Sequence, residues 1–229
     1  MIKRLAIIPA RGGSKRIKNK NLKIFFGKPL IYYSILAAKK SKIFSEIHVS
    51  TDSKKTLKYV KTQNISPAFI RPKKLSNDFT GIHEVLKYVV KKYKMLNFRF
   101  DEIWLLYPTN PFINSSIIKE CKKKFSAINF KPENSLMTVT KYNYPINWAQ
   151  KINDRNMLLP LNRDSLTKRS QKIENSFCDA GMINVYSQKI FEKNLKRKYF
   201  AFPIPIYSSV DIDNLNDFEL AKRLFKNKK

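Results

Sequence analysis

Short apolar runs alternate along the chain with segments whose apolar positions recur three and four residues apart. Arg4 to Pro9 is a run of the kind that forms a buried first strand. A polar loop from Ala10 to Asn21 follows. Gly27-Lys28-Pro29 predicts a turn, with Pro29 suited to a first helical position. Leu30, Tyr33, Ser34, Ala37 and Ala38 then keep helical spacing to Lys42. The pattern continues as strand at 47–51, helix at 54–62 with Asp52-Ser53 as its cap, and a short strand at 68–70. Helix at 83–93, strand at 103–107, helix at 115–125 and strand at 135–140 come next. From Tyr142 to Cys178 the rhythm breaks, with Pro145, Pro160 and many polar residues and no clear helix. Strands at 182–186 and 200–205 and a helix at 214–226 complete the pattern.

Strands and helices alternating at these lengths predict an α/β fold with a mostly parallel sheet. Residues 1–229 read as a single domain, with 142–178 as an insertion or small subdomain, and neither a repeat nor a linker is visible. At 43% hydrophobic and 13% aromatic the chain can build a sizeable core, which excludes a wholly disordered basic tail. Cys121 and Cys178 are the only cysteines. They are too few for a disulfide framework or a four-cysteine zinc site, and they fit a reducing compartment. The apolar run after the basic start is too short for a signal sequence, and no stretch approaches the ~18 apolar residues of a membrane span. The expectation is a cytoplasmic protein that does not cross a membrane.

The net charge of +29 invites a nucleic-acid or anionic-lipid reading. The excess lies in 36 Lys against 10 Arg, and it covers the whole chain, including helix positions such as Lys87, Lys91, Lys92 and Lys94. Arginine, the better reader of phosphates and guanines, is not enriched with it. A solvated lysine coat is therefore the expectation, and nucleic acid is not the expected partner.

Five glycines occur in all, and two of them, Gly12 and Gly13, stand side by side directly after the first strand. Such a pair lets backbone N–H groups form an anion nest. Arg11, Lys15 and Lys20 add charge and Ser14 adds a donor. Together they predict a polyphosphate site at the C-terminal edge of the sheet, where α/β folds bind ligands. The loop matches neither the GxxxxGK(S/T) nor the GxGxxG pattern. Acids are scarce, 17 in all, yet Asp211 and Asp213 lie two apart. On a strand they would share one face and suit a Mg²⁺ ion bridging phosphates. Alternatively Asp213 sits beside the N-terminus of the helix that Asn214 and Asp217 open. His48 and His83 have no nucleophilic partner in a recognisable motif and read as ordinary strand and helix residues. Cys178 reads as a buried thiol and the Tyr and Phe excess as core.

Ile8-Pro9-Ala10-Arg11-Gly12-Gly13-Ser14-Lys15, continuing to Lys20-Asn21, is similar to the opening of the acylneuraminate cytidylyltransferases, the CMP-sialic acid synthetases. Further pieces resemble that family in order. They are Val49-Ser50-Thr51-Asp52, Arg71-Pro72 with Leu75-Ser76-Asn77-Asp78, the segment Leu105 to Pro111, and Asp211-Ile212-Asp213. Asp78-Phe79-Thr80-Gly81, Arg169-Ser170-Gln171 and Asp179-Ala180-Gly181 resemble the branch acting on pseudaminic acid. Tyr107 departs from the Gln of the sialic acid enzymes, and Met182 departs from the Gln of the pseudaminic branch.

The resemblance implies a Rossmann-like nucleotidyltransferase that joins CMP from CTP to a nine-carbon 2-keto sugar acid. It implies catalytic roles for Arg11, Lys20 and Asp213. Nucleotide contacts would come from Ala10, Gly12, Gly13, Ser14, Lys15, Asn21, Arg71 and Thr80, with Arg71 reading the cytosine edge. Sugar contacts would come from Tyr107, Thr109, Asn110, Arg169, Gln171 and Asp179. Asp211 and Asp213 would hold Mg²⁺, or Mn²⁺ in its place. It further implies a homodimer in which 142–178 reaches into the partner subunit. The competing expectations are a cytidylyltransferase for legionaminic or 3-deoxy-manno-octulosonic acid, and a basic nucleic-acid-binding α/β protein.

Overall fold

A strand covered on both faces reads as an unbroken apolar run. The first run behaves this way: Arg4–Pro9 forms β1, with Ala6 and Ile8 packed to one side and Leu5 and Ile7 to the other. The computed structural model describes residues 1–162, 169, 171 and 173–227. After β1 come β2 (Ile24–Phe25), β3 (Lys28–Pro29), α1 (Ile31–Ser41), β4 (Glu46–Ser50), α2 (Lys54–Thr62), α3 (Ile82–Met95) and β5 (Glu102–Leu106). Then follow α4 (Ser115–Ile128), β6 (Asn134–Lys141), β7 (Gln150–Ile152), β8 (Leu158–Pro160), β9 (Phe177–Ser187), α5 (Lys189–Lys193), β10 (Lys198–Pro203) and α6 (Leu215–Lys226).

Six strands form the central sheet in the order β10-β6-β9-β5-β1-β4. β1 is parallel to β4 and β5, and β10 is parallel to β6, while β9 runs antiparallel between β5 and β6. Residues of α1, α2, α4 and α6 pack on one face, and α3 and α5 cover the other. The chain leaves β1 for β4 on one side and returns to β5 on the other. The crevice at the C-terminal ends of β1 and β5 is therefore the switch point of a doubly wound sheet, the place where such folds bind ligands. Among the described residues no helix is long and apolar enough to cross a membrane.

The expected α/β alternation forms, with differences that have local causes. Pro29 does not open the first helix. Phe26 and Gly27 take φ of 45° and 77°, and this two-residue turn folds Pro29 back onto Ile24 in a small hairpin, so α1 starts at Ile31. No strand forms at 68–70. Phe69 instead lays its ring 4.5 Å from His48, and Arg71 N–H alone reaches Thr51 O at 2.9 Å. β9 is far longer than the expected 182–186 because Gly181 and a register shift opposite Met137 and Val139 break its alternation. Phe177 and Cys178 pair with Lys141 and Thr140 in the central sheet, so the excursion from it spans 142–176 and carries the β7–β8 hairpin. The five-residue α5 is too short to show a helical period in its sequence.

At the opposite edge of the sheet from the crevice, Glu102 takes Arg4 Nε at 2.8 Å and Nη2 at 3.2 Å, and Oε2 also accepts Trp104 Nε1 at 2.9 Å. All three side chains are buried. Glu102→Ala strands a buried guanidinium and an indole N–H, so we expect a loss of about 3–5 kcal/mol in urea unfolding. A change under about 1 kcal/mol would mean that water replaces the carboxylate at little cost.

Candidate active site

The segment after β1 is tied down before its side chains are considered. Ala10 N–H continues the β1–β4 pairing to Ser50 O at 2.8 Å, and Gly12 N–H donates to Asp52 Oδ1 at 2.8 Å. Asn21, itself buried, donates its amide to Arg11 O at 3.1 Å and closes the loop on itself. A Cβ on Gly12 would stand 3.0 Å from Ser53 Cβ, so the glycine allows the loop to press against the start of α2. Ser53 caps that helix as expected, accepting from Thr56 N–H at 3.2 Å.

Of the two donors in the anion nest expected of Gly12 and Gly13, one is already engaged. The Gly12 amide is committed to Asp52, and neither glycine nor the buried Ala10 lines the cleft. Side chains carry the charge instead. Arg11, Ser14, Lys15, Arg16, Lys20 and Asn21 line one wall of a cleft of about 300 Å³ at the ends of β1 and β5. That volume lies at the small end of ligand sites.

The facing wall is the loop before α3. Asn77 Oδ1 folds it by accepting Phe79 N–H at 3.0 Å, Thr80 N–H at 2.8 Å and Thr80 Oγ1 at 2.9 Å. This turn aims Asp78 across the cleft, where it takes Arg11 Nη1 at 2.7 Å and Lys15 Nζ at 2.5 Å. Hydrogen bonds from Lys15 and Arg11 hold the Asp78 carboxyl below the usual aspartate range. Arg71 lines the cleft as well, but its guanidinium is anchored: Nε donates to Ser50 Oγ at 3.1 Å and Nη2 to Ser50 O at 2.6 Å. Burial lowers its pKa to about 10, against the opposing pull of Asp52 and with help from Arg11.

The two carboxylates do not sit on a strand; residues 211–213 lie in a loop before α6. The capping alternative is resolved by neighbours. Asn214 Oδ1 accepts Asp217 N–H at 3.0 Å, and Asp217 Oδ2 accepts Asn214 N–H at 2.9 Å and Asp213 N–H at 2.8 Å. With the cap made by this box, the Asp213 carboxylate faces the cleft and meets Lys20 Nζ and Arg16 Nη2, each at 2.9 Å. Partial burial pushes its carboxyl up, but Lys20 and Arg16 outweigh that and hold it below the ordinary value.

Asp211 goes the other way. Solvent reaches it through the cleft mouth, yet the surrounding protein crowds it and raises its carboxyl. Thr109 and Lys20 oppose that rise, while Asp213 and Asp179 add to it. Among the described residues no three His, Cys, Asp or Glu side chains converge on a metal position. Two hard oxygen donors beside a cationic loop fit Mg²⁺, an ion commonly held by one or two carboxylates; Asp211 and Asp213 would be the residues to hold it.

The sugar-facing set divides. Tyr107 and Thr109 line the cleft. Burial raises the Tyr107 phenol, and the Asp179, Asp211 and Tyr199 charges add to the rise. The Thr109 hydroxyl hydrogen-bonds Asp211. Asn110 is fully buried and does not line the cleft: Nδ2 donates to Ala180 O at 3.1 Å and Oδ1 accepts Phe112 N–H at 3.2 Å. Asp179 lies outside the cleft lining, with Oδ1 turned to Gly181 N–H at 2.9 Å. Arg169 is exposed, and Gln171 lines a separate depression at the base of the 142–176 arm.

Arg16 and Asp78 line the cleft without having been expected there. Arg16 stood in the basic loop and Asp78 in a quoted motif, but only the fold shows what faces them. His48 is an ordinary core residue, pushed to about 3 by burial and the nearby Arg71. His83 is pushed to about 4 by burial and Arg197. Cys121 is buried, and Cys178 is half-buried rather than enclosed.

A family model described as cytidylyltransferase matches residues 5–227. The pseudaminic acid cytidylyltransferase of Campylobacter jejuni subsp. jejuni is 34% identical over 98% of this chain and 97% of its own. The CMP-N,N'-diacetyllegionaminic acid synthase of Legionella pneumophila is 28% identical over 97% of this chain and 96% of its own. The N-acylneuraminate cytidylyltransferase of Escherichia coli O18:K1:H7 is 31% identical over 95% of this chain but only 51% of its own. Among solved structures, a CMP:2-keto-3-deoxy-manno-octonic acid synthetase superposes with a TM-score of 0.72 over 99% of this chain and 100% of that one, at 17% identity.

Asp78 occupies two of the loop's cations, Arg11 and Lys15. Asp78→Asn keeps the size and removes the competing charge. Both pairs are exposed and individually weak, so affinity for tripolyphosphate by calorimetry should rise only about three- to tenfold. A fall would mean that Asp78 holds Arg11 and Lys15 in place.

Proposed function

Because this chain belongs to the cytidylyltransferase family, we propose that it joins the CMP of CTP to a nine-carbon 2-keto sugar acid of the pseudaminic type. The chain is a CTP-dependent nucleotidyltransferase. The observation that carries the finer reading is one cleft in which Arg11, Lys15, Arg16 and Lys20 meet the Asp211–Asp213 pair at the switch point of the sheet.

In the proposed reaction the anomeric hydroxyl of the sugar acid attacks the α-phosphorus of CTP in line with the departing pyrophosphate. The barrier falls through alignment and through neutralisation of charge on the phosphate oxygens. Arg11 and Lys15 exchange Asp78 for phosphate oxygens, and Ser14 donates to the same chain of phosphates. Arg16 and Lys20 stay close to Asp213, and Lys20, the least exposed of the loop cations, reaches the α-phosphate side. Asp211 and Asp213 would hold Mg²⁺, which supplies charge neutralisation on the phosphates when bound. Arg71, fixed on Ser50, offers its remaining donors to the cytosine carbonyl and ring nitrogen. Tyr107 bounds the sugar side of the cleft.

Two further parts of the reading concern surroundings. The 142–176 arm exposes Tyr144, Ile152, Leu158 and Leu161, an apolar set suited to a second copy of the chain, which supports a homodimer. Consumption of CTP fits the cytoplasm.

The direct test is a panel of nine- and eight-carbon 2-keto sugar acids with CTP and Mg²⁺, read by mass spectrometry. We expect the CMP adduct of pseudaminic acid to dominate, to fail with UTP in place of CTP, and to vanish with EDTA. A dominant adduct with another acid replaces the substrate and keeps the reaction. Lys20→Ala should cut turnover by roughly 10²-fold or more, whereas Lys91→Ala, on an exposed face of α3, should change it little. Equal effects would mean that charge acts generically over the surface.

A further inference from the structure

Asp211 rests directly on the backbone of Gly181. A Cβ built on that glycine would stand 2.6 Å from Asp211 Oδ2 and 2.8 Å from its Cβ and Cγ, closer than real side chains approach. Gly181 has φ of 57°, in the left-handed region that favours glycine. Its amide donates to Oδ1 of Asp179, two residues earlier, at 2.9 Å. This side-chain-to-backbone turn is how aspartate stabilises a local reversal of the backbone. It falls where the pairing of β6 with β9 shifts register between Met137 and Val139. From its other side Asp211 receives the Thr109 hydroxyl, and Ile212 N–H is tied to Thr109 O at 3.0 Å.

We infer that Gly181, held in its left-handed conformation by Asp179, is a positioning residue for Asp211. It forms the floor that sets the Asp211 carboxylate in the pose that meets a divalent cation and the nucleotide phosphates. The inference rests on the metal role proposed above for Asp211. Asp179 then acts through the acceptor atom of its side chain, not through its charge and not as a sugar ligand. Any Cβ at 181 lifts or rotates the Asp211 carboxylate, and loss of the Asp179 acceptor lets the turn that carries Gly181 relax.

The test is titration of Mn²⁺ into the protein with CTP and without sugar acid, followed by water-proton relaxation, so that no turnover is needed. Groups that orient a metal ligand are worth about 10–100-fold in affinity. Gly181→Ala and Gly181→Asn should each weaken Mn²⁺ by at least about tenfold. Asparagine tolerates positive φ, so its defect isolates the Cβ contact from backbone strain. Asp179→Ala should weaken Mn²⁺ by about three- to tenfold, whereas Asp179→Asn, whose amide oxygen still accepts the Gly181 N–H, should stay within about twofold of the parent. An Asp179→Asn variant as weak as Asp179→Ala overturns the inference, because charge would then be the essential property. Parent-like Mn²⁺ affinity in either folded Gly181 variant overturns it too. If both Gly181 variants fail to fold, the Asp179 pair decides. Unchanged affinity in Asp211→Asn is a different failure, since it removes the metal role itself.

Discussion

Positive charges held close together repel unless something negative stands between them, and the cleft is organised around that constraint. Arg11, Lys15, Arg16 and Lys20 lie within ten residues of one another and project into one space. Two aspartates from distant parts of the chain keep them there: Asp78 bridges Arg11 and Lys15, and Asp213 bridges Arg16 and Lys20. The two acids differ in standing. Asp78 is carried on an exposed loop folded by Asn77, and in the proposed reaction it gives up its partners to phosphate. Asp213 is braced through its amide by the α6 capping box, so its carboxylate stays while its partners remain beside it.

The backbone beneath these side chains makes the arrangement possible. Ala10 extends the β1–β4 pairing by one hydrogen bond, Gly12 lies close against Ser53, and Asn21 returns to Arg11. A loop fixed at three points leaves little backbone entropy to lose on binding, although the exposed Lys15 and Arg16 side chains keep theirs. The opposite edge of the sheet has a different chemistry. There Glu102 closes on Arg4 and Trp104 out of reach of solvent, and that contact serves the fold alone.

Much of this was legible in the sequence where one element speaks for itself. The apolar run of β1, the spacing of α1 and α3, the Ser53 cap and the basic loop all depend on near neighbours in the chain. What was not legible depends on who faces whom. Asn110 reads as a polar residue of a ligand-facing motif, and only the position of Ala180 O and Phe112 N–H shows that its amide is framework. The Gly12 amide reads as an anion donor until Asp52 is found already bound to it. β9 lost its period at Gly181, where the left-handed glycine and the register shift exchange the two faces of the strand. The same irregularity that hides the strand from pattern reading lets Asp211 come close.

The acid-poor composition sharpens the meaning of each carboxylate. The sequence holds nine aspartates against 46 basic residues. Six of them, Asp52, Asp78, Asp179, Asp211, Asp213 and Asp217, make contacts in the cleft or directly beneath it. A lysine coat spread over a whole surface is screened within about 8–10 Å at ordinary salt, so it can draw anions toward the protein without choosing where they stop. Localisation comes from geometry at short range, where cations are fixed by acids that can be exchanged or shared with a ligand. The large net charge and the site are thus separate features of the chain. The coat sets a general field, and the six aspartates decide where in that field the cleft's cations are fixed, which is where the proposed reaction would hold a polyphosphate.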